Sequence, residues 1–337
     1  MSLPVAPSPD RGHPQIVPRF TIALAVLLAC AFFVACGDDD DDSDRTDDDG
    51  ETVTETPAPE APGILFQRRE NLNTDVYMIQ PDGSGLIQLT DDPGEDYEPR
   101  WSPGYEHIAF VSDRDGVSAG QIYIMNPDGS DQRRITTSEA TDDYPNWSPD
   151  GSTLIFQRSS AGLENAERSS DVWAVDVETG EETQLTTEEA WDSTPSYSPD
   201  GETITFESDR SGTFEIWHMD ADGGNPRQIT ELEASSFASR FSPDGSQIAF
   251  NVRGQEARVD VWIMNADGSE QRMLMDTPQL NEMCPAWSPD GQSLTYHVYG
   301  EGEIEADIAY VSVENPEQIL ITDTPDIREE TPDWSGY

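Results

Sequence analysis

Lysine is absent from these 337 residues, and 18 arginines stand against 68 aspartates and glutamates, for a formal charge of −50. Phosphate binding needs a cationic surface that such a chain cannot assemble, which excludes nucleic acid as a partner. Histidine is scarce too, with four residues, no two of which have the spacing of metal ligands. Long apolar runs are missing save for one, the 16 residues from Phe20 to Ala35. Preceded by Arg11 and Arg19, that run reads as the charged and apolar regions of a secretory signal, and it falls short of the roughly 20 residues a spanning helix needs. Apolar residues reach only 35% of the chain while Gly and Pro number 25 each, which suits short strands and tight turns better than helices.

The apolar run ends Phe33-Val34-Ala35-Cys36-Gly37. This resembles a bacterial lipobox, in which the signal is cut before a cysteine that then receives lipid, with Phe33 in place of the usual leucine. Cys30, after Leu27-Leu28-Ala29, is the rival site. Cleavage there would leave Ala31-Phe32-Phe33-Val34 exposed, whereas Cys36 leads straight into Gly37 and five aspartates, so Cys36 is preferred. Residues 1–35 are then a signal peptide and Cys36 a lipidation site on the extracytoplasmic side of the cell envelope. Cys284 would be the one free thiol of the mature chain, with no internal disulfide. Residues 36–62 hold the lipidated cysteine and a tether with a net charge of −11, too polar to bury surface and therefore disordered and self-repelling.

From Gly63 to Tyr337 the sequence repeats. An aromatic followed by Ser-Pro-Asp-Gly recurs at Trp147, Tyr197, Phe241 and Trp287, with degenerate copies at Trp101 and Trp334, at spacings of 46, 50, 44, 46 and 47 residues. Behind each of the first five comes an apolar triplet such as Leu154-Ile155-Phe156, then a run such as Val172-Trp173-Ala174-Val175, then a third such as Gln184-Leu185-Thr186. Each period therefore holds four short strands, a to d. Asp-Gly turns join a to b in most repeats and c to d in two of them, because Gly supplies the positive φ that a tight antiparallel hairpin needs. Four antiparallel strands at this period make a propeller blade, so the expected fold is an all-β, six-bladed β-propeller. The first unit, from Ile64 to Thr90, has b, c and d but no a, and the last, Thr331 to Ser335, has only a. Joined, they form the sixth blade and remove two unpaired edges.

The residues Pro145-Asn146-Trp147-Ser148-Pro149-Asp150-Gly151, with Ser112-Asp113-Arg114-Asp115-Gly116 and Ser208-Asp209-Arg210-Ser211-Gly212, resemble the WD40-like repeat of TolB-type β-propellers. The resemblance runs over all six repeats and implies a propeller of the bacterial envelope. TolB itself carries an α/β domain ahead of its propeller, where this sequence has the acidic tether. Related propellers also occur in prolyl oligopeptidase-type peptidases and in metal-dependent pectate-degrading lyases.

Catalytic signatures are thin. Gly116-Val117-Ser118-Ala119-Gly120 matches Gly-x-Ser-x-Gly, but that motif needs a strand-to-helix elbow, and here it falls between strands b and c. His107, His218 and His297 fall in three different blades, and Asp220-Ala221-Asp222-Gly223 aligns with the c–d turns. Neither a catalytic residue, a metal site nor a cofactor is assigned. The a–b and c–d turns share one face and are uniform; the b–c and d–a loops share the other and are variable, acidic and edged with aromatics. Binding surfaces concentrate in such loops on rigid scaffolds. The candidate ligand residues are Asp96, Tyr97, Asp143, Tyr144, Glu189, Trp191, Asp192, Phe237 and Arg328, with Trp191 in a d–a connection where no strand explains it. Residues 63–337 carry a net charge of −40, a density suited to saline surroundings where self-repulsion is screened.

The expected protein is a monomeric, lipid-anchored envelope module that binds a cationic protein or peptide; the alternative is a carbohydrate-active or metal-assisted enzyme using the same mouth. Cys36→Ala should move the protein from the membrane to the soluble fraction, and unchanged fractionation would refute lipidation there.

Overall fold

A computed structural model describes residues 63–337, apart from 117–118, 161–168, 233, 255–257, 276, 301, 304 and 335–337. Cys30, Cys36, the acidic tether and Ser118 lie outside the described residues. The chain opens with β1 (Ile64–Glu70), β2 (Asn73–Ile79) and β3 (Ile87–Gln88). Five four-stranded sheets follow in sequence. They are β4 (Asp96–Trp101), β5 (Ile108–Ser112), β6 (Gln121–Met125) and β7 (Arg133–Arg134); and β8 (Thr141–Trp147), β9 (Thr153–Ser159), β10 (Ser170–Asp176) and β11 (Glu182–Gln184). Next come β12 (Asp192–Tyr197), β13 (Thr203–Ser208), β14 (Glu215–Asp220) and β15 (Arg227–Gln228); then β16 (Ser235–Phe241), β17 (Gln247–Arg253), β18 (Val259–Asn265) and β19 (Arg272–Met273). The last sheet is β20 (Leu280–Trp287), β21 (Ser293–Gly300), β22 (Asp307–Ser312) and β23 (Ile319–Leu320), after which β24 (Arg328–Asp333) returns to pair antiparallel with β1. The expected six-bladed propeller and its closure are both present.

The turns explain themselves. In Trp147-Ser148-Pro149-Asp150-Gly151, the Ser148 hydroxyl donates to Asp150 Oδ1 (2.6 Å) and accepts from the Thr153 amide (3.0 Å), while Gly151 takes φ 72°. The copies at Ser198, Ser242 and Ser288 make the same bonds, and even the longer turn after Trp101 keeps a serine, Ser102, accepting from His107 N. The Ser-Asp-Arg segments also repeat bond for bond. Asp113 accepts from Glu95 N and Asp209 from Trp191 N, both at 2.8 Å, tying each b–c loop to the start of its own innermost strand.

Apolar packing is distributed over six clusters, each filling the seam between two adjacent blades. The anchor aromatics Trp101, Trp147 and Trp287 are fully buried there, and their indole N–H groups donate to the main-chain oxygens of Gly63, Arg100 and Arg240 in the preceding blades. The outermost strands are two or three residues long, and such short edges offer little template for another chain.

The innermost strands begin earlier than the loop polarity suggests. Asp96, Tyr97, Asp143, Tyr144, Asp192, Phe237 and Arg328, expected in d–a loops, are residues of β4, β8, β12, β16 and β24. These segments read as loops because they are polar, yet each lies hydrogen-bonded against its b strand. Deleting residues 331–337 should lower Tm by about 10 °C or more, because it reopens the ring. A loss of only a degree or two would show that β24 does not close it.

Candidate functional site

A buried position lies within the first three residues of every innermost strand, occupied in turn by Asp96, Asp142, Asp192, Ser236, Glu282 and Glu329. Four of the five acids carry a guanidinium from the same blade: Arg114 on Asp96 (2.7 Å), Arg158 on Asp142 (2.6 Å), Arg210 on Asp192 (2.7 Å) and Arg68 on Glu329 (3.1 Å). Each of these arginines also lies over aromatic rings of its own b or c strand, Arg158 being 4.5 Å from the Trp173 centroid. A buried acid paired and stacked in this way fastens the blade together. Two of the expected ligand residues, Asp96 and Asp192, are therefore engaged in blade architecture. Glu282 breaks the pattern, since among the described residues no guanidinium reaches it, and its Oε1 is buried without a partner. Burial pushes its carboxyl up to about 7.

Two positions further along comes a residue with left-handed backbone in all six strands: Glu98, Tyr144, Thr194, Ala238, Cys284 and Thr331, with φ between 45° and 55°. At each of them the pairing register slips by one residue, as between Tyr97 and Arg100, so each innermost strand carries a β-bulge. The bulge frees an N–H, and in five strands it donates across the seam to the preceding blade. The acceptors are Gln67 for Glu98 (3.1 Å), Glu98 for Tyr144 (2.7 Å), Glu207 for Ala238 (3.1 Å), Asn251 for Cys284 (2.8 Å) and His297 Nδ1 for Thr331 (3.3 Å). All but Glu98 directly follow the b-strand aromatic; in β5 that place belongs to Val111, which cannot accept, and Glu98 substitutes. His297 is thus a buried structural acceptor, held neutral by burial that pushes it down to about 4. Cys284 is a channel-wall thiol raised to about 12 by burial, which keeps it protonated and unreactive.

On the loop face the structure brings Tyr97 and Asp143 together, the phenol donating to Oδ1 at 3.1 Å across a seam. Gly120 makes the room: a Cβ there would collide with the Tyr97 hydroxyl and lie 2.6 Å from Val111 Cγ1. A cleft of about 330 Å³ opens beside this pair, lined by Arg69, Glu95, Tyr97, Asp113, Thr141 and Glu330. Burial raises the Asp143 carboxyl against the pull of Tyr97, and burial followed by the charge of Asp143 raises Glu98. The remaining expected residues are spread around the rim. Glu189 is exposed, Phe237 lies under Arg253 at 5.5 Å, and Arg328 pairs with Glu330 at 2.6 Å. Trp191 has a main-chain role after all, bridging to Ser170 of the preceding blade. Asp91, Glu139, Glu188, Glu231, Asp323 and Asp326 are exposed acids on the d–a loops. Among the described residues no group of three His, Cys, Asp or Glu could hold a metal ion.

The comparisons with known proteins follow the fold. The family model of the TolB beta propeller domain matches residues 46–170 and 162–337. No curated protein matches the sequence. TolB from Acinetobacter baumannii is 24% identical with a TM-score of 0.70; the alignment covers 81% of this chain and 66% of that one, so the chain spans just under two thirds of that protein. Kuenenia stuttgartiensis hydrazine synthase aligns over 80% of this chain and 46% of its own, at 16% identity and a TM-score of 0.67. An oligogalacturonate lyase in complex with manganese aligns over 76% and 72%, at 18% identity and 0.55. At these identities the structural likeness speaks to the fold alone.

The buried acids set a pH dependence. Glu282 is raised from 4.5 to about 7, and Asp75 from 3.8 to about 6 by burial and then by Asp96. The folded protein therefore holds protons that the unfolded chain has released, and this stabilisation, complete below about pH 4, is lost as pH rises through 6 and 7. The turn aspartates Asp150, Asp200 and Asp244, held low chiefly by serine hydroxyls, act oppositely but only as pH falls below 4. Tm should fall between pH 5 and 8, and Glu282→Gln should flatten the decline, with a gain on the order of 2–3 kcal/mol at pH 8. An unchanged slope in the variant would contradict this assignment.

Proposed function

The chain belongs to the TolB β-propeller domain family, and from that membership we propose that it is a recognition module of the cell envelope, anchored through Cys36, whose loop face docks a cationic protein segment or peptide. The observation that carries the reading is the contrast between the two faces. The a–b turns repeat one serine-aspartate hydrogen-bond pattern from blade to blade, whereas the other face bears the varied acidic loops and the cleft beside Tyr97 and Asp143. Complementary charge of this kind governs encounter rate and choice of partner more than it governs final affinity. No catalytic step is assigned. The lyase and peptidase resemblances contribute a scaffold, and function on a shared scaffold resides in the site.

Crosslinking in the native membrane, recovery through a tag and mass spectrometry should return a stoichiometric protein partner. In the double variant Glu188→Arg/Glu189→Arg the yield should fall roughly tenfold, since rim charges act on association, while Tm should hold because both residues are exposed. An empty recovery from correctly anchored protein, or a yield indifferent to the variant, would overturn the docking face.

A further inference from the structure

We infer that the seam between the β12–β15 and β16–β19 blades carries a binding site for a sugar ring, centred on His218 and Phe241. The inference stands apart from the docking reading, because the a–b and c–d turns that line this site lie on the face opposite the docking loops.

His218 departs from the repeat. By strand register its place belongs to Met78, Ile124, Ala174, Ile263 and Tyr310 in the other five blades. The first four pack as apolar groups in the same cluster as the anchor aromatic of the next blade. The aromatic that His218 meets departs as well. Phe241 stands where four blades have tryptophan, and it lacks the indole N–H that three of those tryptophans donate across their seams. The imidazole lies 5.5 Å from the Phe241 ring, inclined at 37°. It is 2% exposed, and neither Nδ1 nor Nε2 has a hydrogen-bond partner among the described residues. Burial, followed by the charge of Arg227, pushes it down to about 4, so at neutral pH the ring is uncharged and offers one donor and one acceptor. A polar ring held in this state is less stable than the isoleucine of the equivalent seams. Two departures from the repeat at one contact mark a feature that the fold itself does not require.

A cleft of about 340 Å³ opens onto this pair, within the roughly 300–1,000 Å³ of small-molecule sites. Pro199, Phe241 and Ala266 supply its apolar wall. Asp200, Asp244 and Asp267 line it too, and each has Oδ1 taken by a serine hydroxyl or amide of its own turn, while no protein donor among the described residues reaches Oδ2. Arg227 completes the lining, exposed and with no carboxylate at ion-pair distance among the described residues. The cleft therefore sets acceptors, a cationic donor and an imidazole that needs one of each beside an aromatic ring. A hydroxyl donates and accepts from the same atom, and a pyranose carries several of them on a ring whose C–H face packs against an aromatic surface. An organic cation would meet Arg227 and leave the imidazole N–H without an acceptor, and an anion would meet three aspartates.

The test follows the imidazole proton signals of the full chain by NMR during titration with methyl galactoside, methyl glucoside and N-acetylglucosamine. The chain has only four histidines, and His218→Ile identifies the signal of this seam. Saturable movement of that signal with at least one sugar, the signals of His107 and His297 staying in place, supports the site. Both His218→Ile, which copies β6 and β18, and Phe241→Trp, which restores the anchor tryptophan and fills the cleft, should weaken calorimetric sugar binding at least roughly tenfold. His218→Ile should at the same time raise Tm by roughly 3 °C, so lost binding is not lost folding. Either variant gives the reading should the other fail to fold. Glu188→Arg/Glu189→Arg, on the docking face, should bind sugar unchanged. A His218 signal indifferent to all three sugars, one moved by spermidine alone, or binding unaffected in both seam variants would overturn the site.

Discussion

The ring depends on one hydrogen bond made repeatedly across its seams. A left-handed residue costs roughly 1–2 kcal/mol outside glycine, and here six non-glycine residues accept that conformation at equivalent positions. The bulge turns a main-chain N–H out of its own sheet, and in five blades the N–H finds a side-chain acceptor in the blade before, on the b strand in four of them and on the innermost strand, at Glu98, in the fifth. Five of the six sheets are thereby keyed to their predecessors through backbone, while the apolar clusters and the anchor tryptophans fill the same seams. Proline follows the left-handed residue in five of the six strands, a place where the missing donor does no harm because the innermost strand has a free edge.

This construction determines what the channel contains. Side chains needed to accept a crossing N–H must be polar, which places Glu98, Glu207, Asn251 and His297 around the axis, and desolvation shifts the protonation of the three that titrate, Glu98, Glu207 and His297. Once those groups are committed to the backbone, Arg100 keeps a buried Nε with no acceptor among the described residues.

The blades are not equivalent. Four share an arginine pinned between an acid and aromatic rings, but the β16–β19 blade has Ser236 in place of the acid and the β20–β23 blade has Glu282 without the arginine. A carboxyl left in that condition sheds its proton near neutrality, so the β20–β23 blade joins the sites of Asp75 and Glu98 where the fold responds to pH in the physiological range.

Blade number, strand order and the closure by the last strand were all legible in the sequence, because the Ser-Pro-Asp-Gly turns and the apolar triplets are local signals repeated at one period. The pairing of Tyr97 with Asp143 was half legible: both lay among the candidate residues, but their contact spans 46 positions and depends on Gly120 keeping its side-chain volume empty. The starts of the innermost strands were misread as loops, since polar residues at a sheet's inner edge look the same as polar residues in a loop until their partner strand is known. Gln67, Asn251 and His297 gave no signal of their role, which exists only when the next blade presents an N–H to them. Sequence alone thus determined the repeat, the ring and the sign of the surface charge, which follow from local turn chemistry and composition. Tertiary structure decided which acids are pinned, which are left to titrate and which arginines go unpaired, because those outcomes depend on distances between residues that no local pattern encodes.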